Sequence, residues 1–265
     1  ATNTLDGYLP PLDYTSNKVE AEIMVVGGKA IHLDEFPKLR GIFKTGIGTD
    51  NLPFEEAQKR NIQIALPASS TIDVILEETA AFTCHLILQA AYAAVGDWDQ
   101  WLKVDRPALF SRSLLVIGNG RIGKRVVAKM RPFMNVDTFD SAQDVPEVFE
   151  SKVRSSDVIA LLVPLTDETK GFFDKEKLGW MKDGAALVNT SRGPVIDEDA
   201  LYTELSAGRL RAAIDVFWQE PYRGKLTELP ADRFIRTPHI ASTCKEFVQG
   251  TAEDFLAFMT ALESR

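Results

Sequence analysis

Arg192, a carboxylate at Asp215 or Glu220, and His239 are side chains of this 265-residue sequence whose types, taken together, could move a proton at a carbonyl oxygen. Each follows a short apolar run: Arg192 in NTSRG after AALV, Asp215 and Glu220 in DVFWQEP after AAI, His239 in TPHIAST after FI. Such runs, spaced by helical segments, read as strands of a parallel sheet, and open parallel sheets bind ligands beyond the carboxyl ends of their strands. An arginine, a carboxylate and a histidine on one rim suit protonation of a carbonyl carried by an anion. A guanidinium can hold a carboxylate through two parallel donors and polarise the carbonyl. An imidazole gives or takes a proton near neutrality, and a carboxylate bonded to its ring favours the charged form and raises its pKa. Singly, each has a structural alternative: a surface arginine, a glutamate capping the turn before Pro221, a packed histidine.

A second constellation lies upstream. GNGRIG places Gly118, Gly120 and Gly123 in G-x-G-x-x-G spacing between an apolar strand (residues 114–117) and a helix (residues 121–130). The first glycine allows a tight turn, the second lets backbone approach a diphosphate, and the third lets helix and strand pack closely. The helix start, with Arg121 and Ile122, presents unpaired N–H groups to the anion. Asp140 ends the next strand, seventeen residues after Gly123, where a carboxylate accepts hydrogen bonds from a ribose. The cofactor expected is therefore NAD in preference to NADP, since a 2′-phosphate would be repelled and Ser141, Ala142 and Gln143 supply no arginine. Asp137, inside the strand, reads as solvated surface.

The elements that must position these residues alternate along the chain. AEIMVVGG, LRGIFKTGIG and IQIALP read as strands, with LPFEEAQKRN as a helix closed by Asn61. A long helix is expected over about residues 72–95. Further strands are read in SDVIALLVPL, AALVNTS, AAIDVFW and RFIRTPHI, with helices in FDKEKLGWM and DEDALYTELSAG. Repeated βα alternation implies an α/β fold with a doubly wound parallel sheet. The first twenty residues carry turn formers and little regular structure.

Composition narrows the partners. The net charge is −8, which argues against nucleic acid and against an anionic membrane surface. Two distant cysteines, Cys84 and Cys244, offer neither a disulfide framework nor a metal motif, so no metal is expected and a cytoplasmic setting fits. The most apolar segment, TAAFTCHLILQAAYAAV, contains His85 and Gln89 and falls short of a bilayer span. No charged, apolar and small-residue series of a leader opens the chain. His32 and His85 lack motif partners and read as structural, and Trp98, Trp101 and Trp218 read by default as packed.

IGNGRIGKRV, LLVPLTDETKGFFD, MKDGAALVNTSRGPVIDEDAL, GRLRAAIDVFWQEP and TPHIAS, in that order, resemble the D-isomer-specific 2-hydroxyacid dehydrogenases. KTGIGTDNLPFEEAQKRNIQIALP resembles the same family's upstream segment, so the likeness spans residues 42–243. The resemblance implies a Rossmann NAD domain (74–241) and a smaller, shortened flavodoxin-like substrate domain, discontinuous (1–73 with 242–265). It also implies hydride transfer between NAD(H) and a small anionic 2-oxo or D-2-hydroxy acid. Arg192, Glu220 and His239 become the catalytic trio, Asp215 a contact to the nicotinamide carboxamide, and Pro164 and Thr169 further cofactor contacts. Backbone around Gly46, Ile47 and Gly48 would hold the substrate carboxylate, with Lys29 nearby, and a homodimer would use the helix that carries His85. Related scaffolds leave two alternatives: oxidation of another small anion such as formate or phosphite, and an NAD-sensing module like the corepressors similar to this family.

Overall fold

The computed structural model describes residues 5, 7–92 and 96–264. The chain divides into two compact units, Ala1–Leu76 with Ser242–Arg265, and Glu77–Ala241.

In the first unit, β1 (Ile23–Val26), β2 (Gly41–Lys44) and β3 (Gln63–Ala65) form a three-stranded parallel sheet in sequential order. Helix α1 (Phe54–Lys59) returns the chain from β2 to β3. It ends where Asn61 takes a left-handed φ of 55°, a conformation asparagine tolerates better than most residues. Helix α2 (Ser69–Ala91) starts in this unit and continues into the second, close to the expected span; residues 93–95 of that expectation lie outside the described residues. The C-terminal helix α7 (Lys245–Glu263) packs on β2, with Phe43 set 5.4 Å from Phe255 and 5.9 Å from Phe258 between ring centres. Its Asp254 accepts the Ala68 N–H at 2.8 Å.

The second unit is a six-stranded, wholly parallel sheet. Its strands are β6 (Ser113–Ile117), β7 (Asn135–Phe139), β8 (Val158–Leu161), β9 (Ala186–Asn189), β10 (Arg211–Ile214) and β11 (Phe234–Arg236), in the order β11-β10-β9-β8-β6-β7. Helices α3 (Arg121–Met130), α4 (Phe149–Ser155), α5 (Lys175–Trp180) and α6 (Glu198–Ser206) connect them. The inner strands β6, β8, β9 and β10 are buried on both faces, which is why their segments read as apolar runs. Alternate residues serve opposite layers: Leu115, Ile117, Ile159, Leu161 and Leu187 pack on one face, Leu114, Val116, Val158, Ala160 and Val188 on the other. β6 has β7 on one side and β8 on the other, so the chain changes direction of winding at β6, where such sheets place their ligand crevice.

Three features depart from the sequence expectation. Helices α4 and α7 were not expected, although Phe247, Val248, Thr251, Ala252 and Phe255 recur at helical spacing on the buried side of α7. Gly250, a poor helix former, lies beside that stripe; a Cβ there would meet the Thr71 hydroxyl at 2.7 Å, so the glycine permits a close approach. A short antiparallel hairpin, β4 (Gly96–Asp97) with β5 (Leu102–Lys103), presents Trp98 and Trp101, 80% and 72% exposed, where packed tryptophans were expected. Their rings touch each other edge-on at 5.1 Å. Trp218 does pack against the core, donating Nε1–H to the Ile196 carbonyl at 2.7 Å.

Candidate active site

Arg192, Asp215, Glu220 and His239 all follow the carboxyl ends of neighbouring strands, β9, β10 and β11. His239 Nδ1 and Glu220 Oε2 lie 2.8 Å apart, although 19 residues separate them. Nδ1 is thereby committed to the carboxylate, and Nε2 is the ring nitrogen left to face a reacting group. Burial pushes the Glu220 carboxyl up, but the hydrogen bond and charge of His239, the Phe217 N–H and the charge of Arg192 outweigh it. Its pKa lies below the ordinary value. The influence of Arg192 on Glu220 brings all three predicted catalytic side chains into one electrostatic neighbourhood.

The backbone holding His239 is strained. The residue has φ of 54°, in the left-handed region that is uncommon for any residue but glycine, although histidine, asparagine and aspartate reach it more often than most. Asp215 holds it there. This carboxylate is completely buried and accepts the Thr237 hydroxyl at 2.6 Å and the Ile240 N–H at 2.9 Å on Oδ1, and the Ala241 N–H at 2.9 Å on Oδ2. Three donors flanking His239 thus converge on one side chain from the next strand.

The arginine is positioned by residues that sequence reasoning did not single out. Asn189, fully buried at the end of β9, donates Nδ2–H to the Arg192 carbonyl at 2.9 Å. It also accepts from the Ser191 N–H at 2.9 Å and the Ser191 hydroxyl at 2.8 Å. Thr190 shares a buried hydroxyl contact of 2.7 Å with Thr83 of α2, whose own hydroxyl donates to the Thr79 carbonyl at 2.7 Å. Gly193 lets two loops meet: a Cβ there would lie 2.1 Å from the Phe217 carbonyl carbon. The NTSRG motif carried part of this signal, since a buried asparagine ahead of a turn commonly bonds to its own loop.

At the nucleotide end, the glycine turn fits a dinucleotide. Added Cβ atoms would lie 2.6 Å from the Leu162 carbonyl at Gly118 and 2.0 Å from the Gly118 carbonyl at Gly123, while at Gly120 a Cβ would meet nothing within 4 Å. The first and third glycines serve packing, and the second leaves open space where a diphosphate can approach backbone. No side chain caps α3, whose first turn begins at Arg121 and Ile122, so its N-terminus is available to an anion. Asp140 follows β7, its Oδ2 accepting the Asn119 N–H at 2.9 Å and its Oδ1 the Ala142 N–H at 3.1 Å. Asp137 is exposed and paired with Lys152 at 3.1 Å. Pro164 and Thr169 follow β8 and are joined, the Thr169 hydroxyl donating to the Pro164 carbonyl at 2.6 Å.

The expected substrate residues belong to the first unit. Gly46, Ile47 and Gly48 form a half-exposed bend after β2, with Ile47 against an apolar cluster that includes Val248. Lys29 is exposed. Its carbonyl accepts from Asn51 Nδ2 at 2.6 Å, and Asn51 in turn accepts from the buried Lys44 Nζ at 3.0 Å. Lys44 and Asn51 therefore tie the loop of Lys29 to the one after β2. Burial pushes the Cys84 thiol up to about 11, which leaves it unreactive. Among the described residues no cluster suited to a metal ion is present, and no helix is long and apolar enough to cross a membrane.

Comparison with known proteins follows the same lines. Residues 74–241 match the family model described as D-isomer specific 2-hydroxyacid dehydrogenase, NAD binding domain. The chain is 32% identical over 248 residues to a hydroxypyruvate reductase of Thermotoga maritima, covering 88% of this chain and 77% of that one. It is 34% identical over 250 residues to a glyoxylate reductase of Korarchaeum cryptofilum, covering 84% and 74%. A crystal structure of D-lactate dehydrogenase from Aquifex aeolicus, complexed with NAD and lactic acid, superposes with a TM-score of 0.76 at 26% identity, covering 93% of this chain and 84% of that one.

Proposed function

The chain belongs to the D-isomer-specific 2-hydroxyacid dehydrogenase family, and from that premise we propose that it reduces glyoxylate or hydroxypyruvate with NADH through Arg192, Glu220 and His239. It is an NAD-dependent oxidoreductase of small 2-oxo and 2-hydroxy acids. The observation that carries the residue assignment is the 2.8 Å pair between His239 Nδ1 and Glu220 Oε2 at the carboxyl edge of the sheet, with Arg192 on the adjoining loop. NAD, when bound, supplies the hydride acceptor and donor. Arg192 holds the substrate carboxylate and polarises the carbonyl; His239 Nε2 gives its proton to the carbonyl oxygen, and takes it back in the reverse direction. Glu220 keeps Nδ1 protonated and the ring in place. Asp215 holds the His239 turn from beneath and contacts the nicotinamide carboxamide. Gly118, Gly120, Gly123, Arg121, Ile122, Asp140, Pro164 and Thr169 form the NAD site, and Asp140 gives NAD preference over NADP. The first unit is the substrate-selecting domain, with Ile47, Gly48 and Lys29 as its contacts to the acid.

The same reading makes the protein a cytoplasmic homodimer. Trp98 and Trp101, 80% and 72% exposed and in edge-on contact, make the β4–β5 hairpin an apolar feature of a kind that monomers seldom leave in water. Both cysteines are free, which suits a reducing compartment. The test is NADH oxidation with glyoxylate, hydroxypyruvate, pyruvate and phenylpyruvate in parallel. Turnover on the first two with highest kcat/KM is expected; bound NADH with no turnover on any 2-oxo acid would leave only a binding module.

A further inference from the structure

At the edge of the six-stranded sheet opposite the catalytic groups, the amino ends of β6, β8, β9 and β10 surround a cavity of about 380 Å³ open to solvent on one side. Strands of four or five residues, rising about 3.3 Å each, set it on the order of 15 Å from the catalytic rim. Its charged lining is Arg112, Lys182 and Arg211 against Asp157 and Asp183. Both carboxylates are engaged. Asp157 accepts from Lys182 at 2.8 Å and from the Ser113 N–H and hydroxyl at 2.8 and 2.9 Å, and the largely exposed Asp183 lies 3.5 Å from Arg209.

The two arginines are not matched in this way. Arg211 donates Nη2–H to the Gly184 carbonyl at 2.9 Å, but its Nε is buried with no hydrogen-bond partner. The Arg112 guanidinium has no hydrogen bond or ion pair among the described residues. Burial, and then the like charges of Arg112 and Arg233, weaken the hold of Arg211 on its proton, only partly opposed by Asp232. A buried N–H without a partner and a second guanidinium on the same cavity are each unfavourable, and an oxyanion hydrogen-bonded between them relieves both. Guanidiniums match the geometry of phosphate oxygens, and the volume accommodates a small molecule rather than a bare ion.

We propose that this cavity binds the phosphoryl group of a small phosphorylated metabolite between Arg112 and Arg211, at a site separate from the catalytic one. Inorganic phosphate is the probe. It is titrated calorimetrically into NADH-saturated protein, with chloride adjusted to constant ionic strength. One phosphate per chain is expected, with Arg211→Met and Arg112→Met each weakening it about tenfold or more and Arg131→Met, at the exposed end of α3, leaving it unchanged. Retained NADH affinity shows that each variant is folded; if one is not, the other decides. Without phosphate, Arg211→Met should melt no lower than wild type, because it removes the orphaned N–H and the like-charge contact. Absence of phosphate binding, or wild-type affinity in both variants, overturns the site. Malonate bound as tightly as phosphate, with the same dependence on Arg211, overturns the phosphoryl assignment.

Discussion

Asp215→Asn isolates the link between the sheet and the histidine. In the native turn one carboxylate receives three hydrogen bonds, from the Thr237 hydroxyl and the N–H groups of Ile240 and Ala241. Asparagine offers one carbonyl oxygen. If that oxygen keeps Thr237 and Ile240, the amide NH₂ points at the Ala241 N–H, and a donor faces a donor in a site with no access to water. The loss combines one charge-assisted bond, about 1.5–3 kcal/mol, with an orphaned donor, about 1–3 kcal/mol. Part is offset because a charge no longer needs burying, leaving about 2–4 kcal/mol. For a chain of this size that lowers the melting midpoint by about 5–15 °C. His239 sits inside the loosened turn at an unfavourable φ, so its ring drifts from Glu220 and kcat/KM falls about 100-fold. Differential scanning calorimetry and steady-state NADH oxidation measure the two effects, with NADH affinity followed by fluorescence. Wild-type melting and wild-type kcat/KM together would refute the reasoning. Weakened NADH binding with unchanged turnover at saturating NADH would move Asp215 from the turn to the cofactor.

Other substitutions probe the remaining parts. Glu220→Gln should lower kcat/KM at least 100-fold with little change in NADH affinity. Because the Glu220 pKa is depressed in the folded state, its contribution to stability is present above the ordinary carboxyl range and lost as pH falls through the depressed value. The melting difference between wild type and Glu220→Gln should accordingly exist at neutral pH and shrink in acid; a difference that grows in acid contradicts the assigned direction. Asn189→Ala should reduce kcat/KM about 10- to 100-fold through the freed Arg192 loop, with partial recovery in Asn189→Asp, which keeps the acceptor for Ser191. Asp140→Ser should erode discrimination against NADPH about tenfold, and full retention of the preference would remove Asp140 from ribose recognition. Trp98→Lys with Trp101→Lys should shift sedimentation from dimer to monomer without altering NADH affinity.

Legibility in the sequence followed the range of the interactions. The limits of α3 and the glycine turn before it were readable because glycine spacing, apolar runs and a helix start are set by neighbours a few residues away. The two-faced burial of β6, β8 and β9 was readable for the same reason. Helix α7 was harder, because Gly250 weakens its local signal and its apolar side is explained by distant partners, Phe43 on β2 and Leu5 and Ile75. The tryptophans of the β4–β5 hairpin misled, since a residue type sets an average burial and a protruding hairpin sets its own.

By itself, then, the sequence determined the chemistry available: which strand ends carry Arg192, Glu220 and His239, and where a dinucleotide meets glycine backbone. Tertiary structure decided how that chemistry is held. The order of β9, β10 and β11 brings Glu220 to His239 and places Asp215 under a strained turn. Asn189 became a clamp only once its loop closed around it. The same sheet order gathers Arg112 and Arg211 at the opposite edge from segments that share no motif. The reason is physical: hydrogen bonds and charges act over a few ångströms in space, and only the folded sheet turns distances of 19 or more residues along the chain into such contacts.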